Sequence, residues 1–183
     1  MYLVTGGSGL VGGHLLIKLV EAGCAVRALY RTKKSIEKAK KIFSFYGSTV
    51  AESFSKIEWV EGEVEDVVSL DDAMESISFV FHCAAVVSFK KSDLNWIRKI
   101  NVEGTANVVN CCLKYNVKKL CHVSSTAAIG GALDGGLIHE ELKWTKEKNI
   151  SNYSVSKYQA EMEVWRGMEE GLDAVIVNPS VII

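Results

Sequence analysis

Three glycines at three-residue spacing, Gly6, Gly9 and Gly12, follow the first apolar run of the chain and strongly constrain its fold. The apolar run at residues 1–5 predicts a buried strand, and the helical periodicity of residues 10–22 predicts a helix directly after the turn. Gly6 permits a tight turn, Gly9 a close approach of the backbone to a ligand, and Gly12 close packing of helix on strand. The helix N-terminus then presents free N–H groups to a pyrophosphate. The backbone expected to face the phosphates is that of Gly6, Gly9, Leu10, Val11 and Gly12.

Strand-like and helix-like segments alternate along the whole chain. Strands are expected at 1–5, 25–30, 57–60, 79–82, 119–123 and 174–177, and helices at 10–22, 33–46, 70–76, 93–115 and 153–170. This alternation predicts an α/β fold with a doubly wound parallel sheet, in which right-handed crossovers place helices on both faces in three αβα layers. Residues 47–55 and 130–138 are small and polar or glycine-rich, which predicts mobile loops.

Composition excludes several classes of protein. The net charge of −1 gives no indication of a nucleic-acid partner, and no apolar run reaches the roughly 18 residues that a membrane span needs. The first residues are strand-like and carry no basic segment, so no signal peptide is expected. The five cysteines form no Cys-x-x-Cys pair and the four histidines show no metal-ligand spacing. We therefore expect reduced thiols, a cytoplasmic protein and no metal.

The chain ends shortly after its last expected strand. Residues 178–183 are a strand end followed by an apolar stub, and a proline so close to a strand, Pro179, usually starts a connection to a further element. We therefore expect that the 183 residues form one nucleotide-binding domain and that a C-terminal substrate lobe is missing from this sequence.

The Gly-x-x-Gly-x-x-Gly spacing resembles that of the short-chain dehydrogenase/reductase superfamily, specifically its extended branch of epimerases, dehydratases and reductases. Segments at 62–64, 82–85 and 101–105 support this resemblance, which runs over the whole chain. It implies a Rossmann fold that binds NAD or NADP. It also implies that cofactor contacts are made by Glu63, Val64, Cys83, Ala84, Ala85, Asn101 and Pro179.

The end of the second strand bears on the choice between NAD and NADP. NAD-preferring proteins carry a carboxylate there that accepts from the ribose hydroxyls, whereas this chain has Tyr30 followed by Arg31. An arginine can pair with a 2′-phosphate through two hydrogen bonds. We therefore expect Tyr30 and Arg31 to contact the cofactor and favour NADP, with NAD as the alternative. Arg31, Lys33 and Lys34 are also compatible with the solvated start of a basic helix.

The superfamily's chemistry uses a Tyr-x-x-x-Lys pair on one helix face, where the ammonium favours the phenolate and makes tyrosine usable as a general acid or base. The pattern occurs at Tyr30/Lys34, Tyr115/Lys119 and Tyr153/Lys157. Only Tyr153/Lys157 starts a helix after the fifth strand, at the carboxyl edge of the sheet where ligands of such folds bind. We therefore expect this pair to be catalytic and also to contact the cofactor.

A hydroxyl at the end of the fifth strand completes the expected centre. In the extended branch the catalytic serine or threonine lies five residues before a glycine, and Gly130 selects Ser125; Ser124 and Thr126 remain alternatives. Ser125 would bind the substrate oxygen, Tyr153 would transfer the proton, and Lys157 would hold the nicotinamide ribose. Hydride would pass between the nicotinamide and a small-molecule substrate.

The resemblance also narrows the reaction. Thr126 and Ala127 stand where dehydratases carry Asp-Glu, so dehydration is not expected. The second strand is most similar to that of dihydroflavonol-reductase-like members, which favours an NADP-dependent carbonyl reductase or alcohol dehydrogenase. A nucleotide-sugar epimerase and a non-catalytic NADP-binding sensor or interaction protein are the alternatives. The helices at 93–115 and 153–170 are compatible with a homodimer, and Phe89 and Trp144 with an apolar substrate site.

Overall fold

Six parallel strands form one sheet in the order β3-β2-β1-β4-β5-β6, as described by a computed structural model covering residues 1–129, 139, 144 and 150–182. The strands are β1 Tyr2–Thr5, β2 Val26–Tyr30, β3 Glu58–Glu61, β4 Phe79–His82, β5 Lys119–Val123 and β6 Ala174–Val177. Every neighbouring pair is parallel. The strand order reverses direction between β1 and β4, which opens a crevice at the carboxyl ends of those two strands. The predicted doubly wound sheet is confirmed.

Helices connect successive strands and cover both faces of the sheet. They are α1 Leu10–Glu21, α2 Lys33–Ser44, α3 Ser48–Ser53, α4 Val67–Met74, α5 Leu94–Arg98, α6 Gly104–Lys114 and α7 Asn152–Glu169. The long helix expected at 93–115 is divided, because a π-helical segment at Lys99–Glu103 joins α5 to α6. Among the described residues, no helix is both long and apolar enough to cross a bilayer.

The segment expected to be a mobile loop at 47–55 is instead helical, which corrects that prediction. It forms α3, followed by a 3₁₀ turn at Phe54–Lys56. Val50 and Phe54, four residues apart, both pack against a buried cluster, and the Phe54 ring lies 5.2 Å from the rings of Phe43 and Trp59. Two apolar anchors at helical spacing therefore outweigh the small polar residues between them. The other loop, predicted at 130–138, lies outside the described residues.

Two apolar cores lie on opposite faces of the sheet, because successive strand side chains point in opposite directions. On one face Val4 packs with Leu16 and Ile17 of α1 and with Phe43 of α2. The other core contains residues from β1, β5, α6 and α7, namely Leu3, Leu120, Val108, Val109 and Val164. The sheet is thus the middle of three layers, and its carboxyl edge is left open for a ligand.

Candidate nucleotide-binding and catalytic site

The turn after β1 is too tight to accept side chains at two of its glycines. Gly6 has a φ of +70°, and a Cβ there would lie 2.6 Å from the backbone nitrogen of Ala84, at the end of β4. A Cβ on Gly12 would overlap the carbonyl oxygen of Gly6, which accepts from the Gly9 N–H at 2.9 Å. The fold therefore needs glycine at both positions, because the turn packs directly on the backbone after β4 and on the first turn of α1.

The start of α1 is suited to bind an anion. Its N-cap is Gly9, which supplies no side chain, and no acidic residue lies in the first turn. Leu10 is exposed and Val11 half-buried, and neither side chain lines the cleft described below. The first-turn N–H groups, which have no side-chain cap among the described residues, remain as donors to phosphate oxygens.

A cleft of about 590 Å³ opens beside this turn, over the carboxyl ends of β1, β2 and β4. It contains many of the residues expected to contact a cofactor: Gly6, Gly9, Arg31, Glu63, Val64, Cys83, Ala84 and Ala85. Tyr30 does not line it, because its hydroxyl is directed at the Glu61 carboxylate, 3.4 Å away. The cleft is the size of a nucleotide-binding pocket.

One wall of the cleft is basic. Arg31 follows β2, and Lys34 and Lys38 lie one turn apart on α2, so that all three side chains line the same wall. Thr32 and Ser35 close the start of α2 with a capping box, in which the Ser35 N–H donates to the Thr32 hydroxyl at 3.3 Å. Lys38 was not predicted to be part of the site, although its spacing of four residues from Lys34 is a signal that could have indicated it.

Asn101 lies beneath the cleft and does not line it. Its side chain is buried; Oδ1 accepts from the Val86 N–H at 2.7 Å, and Nδ2 donates to the Val86 carbonyl at 2.9 Å and to the Ser156 hydroxyl at 3.0 Å. These bonds fix the segment after β4 that forms the cleft floor. The amide is thus engaged with the protein, and the direct cofactor contact that the resemblance implies stays a prediction.

A buried chain of hydrogen bonds supports the same floor. The Thr5 hydroxyl accepts from the Ala84 N–H at 3.3 Å and lies 2.7 Å from His82 Nδ1. The Thr105 hydroxyl donates to the Asn101 carbonyl at 2.6 Å and therefore accepts from His82 Nε2 at 2.9 Å. The ring is thus neutral with its proton on Nε2, and burial lowers the pKa of His82 to about 3.

The hydroxyls after β5 differ in what they contact. The Ser124 hydroxyl is buried and donates to the Glu161 carboxylate. Ser125 is half-buried; its oxygen accepts from the Ala127 N–H at 3.1 Å, and its own O–H has no acceptor among the described residues. Thr126 is exposed and its N–H donates to the Pro179 carbonyl at 3.0 Å, which holds Pro179 beside this turn and outside the cleft lining. The Ser124 hydroxyl is therefore engaged, whereas the hydroxyls of Ser125 and of exposed Thr126 have no acceptor among the described residues and can donate to a ligand.

Tyr153 and Lys157 lie on one face of α7, one helical turn apart. Only 1% of Lys157 is exposed, and its Nζ donates to the carbonyl oxygen of Val123 at 2.9 Å. Burial lowers the pKa of Lys157 to about 8, against the opposing effects of the Glu161 carboxylate and the Cys83 thiol. The ammonium is thus held at the end of β5, beside the turn that carries the free hydroxyls.

The other two Tyr-x-x-x-Lys pairs lie elsewhere. Tyr30 is directed at Glu61, as described above. Tyr115 ends α6 at the opposite edge of the sheet, and Lys119 forms an ion pair with Asp173 at 3.2 Å. Position along the fold therefore separates the Tyr153/Lys157 pair from the other two.

Two aromatic residues singled out in the sequence contact α7. Phe89 is 72% exposed and its ring lies edge-to-face with that of Tyr153, with centroids 6.0 Å apart. Val87, also exposed, lies two residues earlier in the same loop. Trp144 stacks on Tyr158 with ring centroids 4.2 Å apart. An exposed aromatic side chain, Phe89, therefore lies next to Tyr153.

A parallel sheet of this order, a glycine turn at the first helix and a Tyr/Lys pair at the same edge define an NAD(P)-binding domain of the extended short-chain dehydrogenase/reductase class. A family model described as "Male sterility protein", an NAD-binding family, matches residues 4–183. The chain belongs to that family.

Individual proteins agree with this assignment. The chain is 35% identical over 182 residues to a protein of Synechocystis sp. named "Putative dihydroflavonol 4-reductase", covering 100% of this chain and 49% of that protein. It is similar to the crystal structure of gox2253, with a TM-score of 0.79 and 32% identity over 98% of this chain and 51% of that one. A short-chain dehydrogenase/reductase superfamily protein of Agrobacterium tumefaciens with bound NAD has a TM-score of 0.76 and 25% identity over 97% of this chain and 48% of that one. The chain thus spans about half the length of the relatives it matches.

Proposed function

We propose that the chain binds NADP(H) and serves a carbonyl reductase or alcohol dehydrogenase. The observation that carries this proposal is the occurrence, at one sheet edge, of an anion cradle with a basic wall and of a Ser125, Tyr153 and Lys157 centre. The cleft fits a dinucleotide, because its volume of about 590 Å³ is that of a nucleotide pocket and the uncapped N–H groups at the start of α1 can donate to a pyrophosphate. When bound, the cofactor supplies a hydride to the substrate carbon or accepts one from it.

The preference for NADP over NAD rests on the basic wall. Among the described residues, the Arg31 guanidinium has no ion-pair partner, and Lys34 and Lys38 are likewise unpaired. Nearby carboxylates are partly engaged, since Glu65 pairs with Lys99 at 2.7 Å. A dianionic 2′-phosphate would meet three cations here, whereas the ribose hydroxyls of NAD would meet no carboxylate at the end of β2.

The roles proposed for the three side chains are those that the family resemblance implies. Ser125 donates to the substrate oxygen, because its O–H has no acceptor among the described residues. In reduction, Tyr153 transfers its hydroxyl proton to that oxygen as the carbon receives hydride. The Lys157 ammonium stabilises the resulting phenolate and holds the nicotinamide ribose. Phe89 and Val87 favour a substrate with an apolar group next to its carbonyl.

Binding and turnover test this function. We expect the chain to bind NADPH at least tenfold more tightly than NADH by isothermal titration calorimetry, and Tyr153→Phe to bind NADPH like the unaltered chain. In the longest polypeptide that contains this sequence, Tyr153→Phe should abolish reduction of an aromatic aldehyde. A preference for NADH, or full activity in Tyr153→Phe, would refute the corresponding part of the proposal.

Assembly and location belong to the same proposal. α5 packs beside α7, and the two helices expose Leu94, Trp96, Met162 and Trp165. We propose that this surface joins two copies in a homodimer. Trp165→Glu should then give a monomer in sedimentation velocity, whereas Val68→Glu, at an even more exposed apolar position on α4, should not. All five cysteines are free, which fits the reducing cytoplasm. The substrate lobe expected beyond residue 183 is likewise a proposal.

A further inference from the structure

Glu161 links three separate parts of the chain. It lies on α7 one turn after Lys157, and its Oε1 atom accepts from the Ser124 hydroxyl and from Asn178 Nδ2, the latter at 2.6 Å. Ser124 belongs to the turn after β5, and Asn178 directly follows β6. One carboxylate oxygen therefore joins the helix that carries Tyr153 to the ends of two neighbouring strands.

The same contacts fix Ser125, which bears one of the free hydroxyls. Asn178 Nδ2 also donates to the Ser125 carbonyl at 3.1 Å, so Ser125 is held through its own backbone and through its neighbour Ser124. On the other side of Ser125, the Ala127 N–H donates to the Ser125 hydroxyl oxygen. The Ala127 carbonyl in turn accepts from the Ser154 hydroxyl of α7. Ser125 thus lies between two attachments to α7.

The attachments lie along one face of α7. Ser154, Lys157 and Glu161 are at positions i, i+3 and i+7, which point in the same direction and span about 10 Å of helix. They contact, in turn, the Ala127 carbonyl, the Val123 carbonyl and the Ser124 hydroxyl. These three contacts add to the packing of α7 on its neighbours and attach one face of the helix to the end of β5 at three points.

We propose that Glu161 is a positioning residue whose carboxylate, by joining Ser124 and Asn178 to α7, fixes the position of Ser125 relative to Tyr153. This inference rests on the proposed function only in giving Ser125 and Tyr153 their reacting roles. The contacts themselves do not depend on it. Glu161 touches neither substrate nor cofactor in this scheme.

A carboxylate has a second effect that an amide lacks. Glu161 raises the pKa of the Lys157 ammonium, against burial, which lowers it to about 8. The titratable groups that act on or respond to Lys157 among the described residues are His82, Cys83, His122 and Glu161. Both histidines are buried and their pKa values are lowered, so they stay neutral near pH 8. Burial raises the pKa of the Cys83 thiol to about 12, so that group is also neutral near pH 8. The effect of the Glu161 carboxylate on Lys157 can therefore be isolated by a substitution at position 161.

Nuclear magnetic resonance on the 183-residue chain, with ¹³C-labelled lysine, separates the two effects. Glu161→Gln keeps an oxygen that can accept both hydrogen bonds but removes the charge. We expect it to lower the Lys157 titration midpoint while the amide signals of 124–127 stay unchanged. Glu161→Ala should lower the midpoint and shift those signals, and amide exchange at Thr126 and Ala127 should become about tenfold faster, because bonds to a charged group are lost.

The matched control is Glu163→Ala. Glu163 lies on the same helix but pairs with Arg166 at 2.9 Å, without contact to β5, so midpoint and exchange should stay unchanged. Unchanged exchange at 126 and 127 in Glu161→Ala, or equal effects in Glu163→Ala, would overturn the proposal. If Glu161→Ala does not fold, Asn178→Ala, which removes the bonds to Glu161 and to the Ser125 carbonyl, takes its place, and unchanged exchange there would overturn the proposal. NADPH affinity is measured in parallel. If the unaltered chain does not bind NADPH, the proposed function is contradicted, but the test of Glu161 remains valid.

Discussion

The Asn101 side chain bonds both polar groups of the Val86 backbone, accepting from its nitrogen at 2.7 Å and donating to its oxygen at 2.9 Å. The amide is in a π-helical segment, a distortion that is frequent at functional sites because it redirects one side chain. Here it directs the amide at the strand end that forms the cleft floor. Through these two bonds the buried amide fixes the backbone that forms the cleft floor.

Removal of this amide should loosen the cleft. We expect Asn101→Ala to lower the free energy of unfolding by about 2–3 kcal/mol, because buried groups of Val86 lose their partners, and to weaken NADPH binding. Urea denaturation and calorimetry measure the two effects. The control is Asn110→Ala, which removes an exposed amide on α6 that contacts Arg166. It should change the stability and the NADPH affinity by less. Equal losses in the two variants would contradict a specific role for Asn101.

The basic wall should discriminate between cofactors. Arg31→Ala and Lys38→Ala are each expected to weaken NADPH binding about tenfold or more, because a charge-assisted hydrogen bond to phosphate is lost, while NADH binding changes little. Lys41→Ala serves as the control, since Lys41 is exposed on α2 and does not line the cleft. A parallel loss of NADH affinity would show that the wall does not contact a 2′-phosphate.

Two glycines of the turn should respond differently to alanine. A Cβ on Gly12 would overlap the Gly6 carbonyl, so Gly12→Ala should prevent the turn from closing and cost several kcal/mol of stability. A Cβ on Gly9 would lie 3.3 Å from the same oxygen, which a small shift can accommodate. Gly9→Ala should therefore fold and yet bind NADPH more weakly. Thermal unfolding and calorimetry distinguish the two, and equal melting temperatures would contradict the predicted difference.

Acid should destabilise the fold through two buried histidines. His82 has a folded-state pKa of about 3, and that of His122 is also well below its usual value. Because the unfolded chain binds protons below about pH 6.5 while the folded chain does not, stability falls as pH decreases through that value, by about 1.4 kcal/mol per pH unit for each histidine. Urea denaturation between pH 7 and 5 measures this slope.

His122 offers a way to isolate one contribution. Both of its ring nitrogens are buried without a partner among the described residues, and its ring lies 5.1 Å from that of His82. His122→Leu should reduce the pH slope by about 1.4 kcal/mol per pH unit, and leave stability at pH 8 unchanged or higher, since an unpaired buried polar group is removed. An unchanged slope would mean that His122 does not titrate on unfolding.

Local sequence patterns predicted much of this molecule and long-range contacts account for the rest. The periodicity of apolar residues and the glycine turn were sufficient to predict the strands, the helices and hence the class of sheet. Whether a segment forms a strand or a helix depends mainly on residues close to it in sequence. The order of hydroxyls after β5 could not be resolved in this way: Ser124 is engaged by Glu161, which lies 37 residues later. Asn101 was recognised from its segment, but its partners at Val86 and Ser156 follow only from how the layers pack. The loop predicted at 47–55 was wrong because the small polar residues there were weighed more heavily than Val50 and Phe54, which pack against the core.

The contact between Gly6 and the backbone at Ala84 has a consequence for folding. Gly6 and Ala84 are far apart in the chain, and their backbones meet with no side chain between them. The turn after β1 therefore cannot reach its final shape until β4 has docked beside β1. Such non-local pairing forms slowly compared with a helix or a hairpin. The ability to bind a nucleotide should therefore appear late during refolding, after the helices have formed, and its time course would follow completion of the central strands.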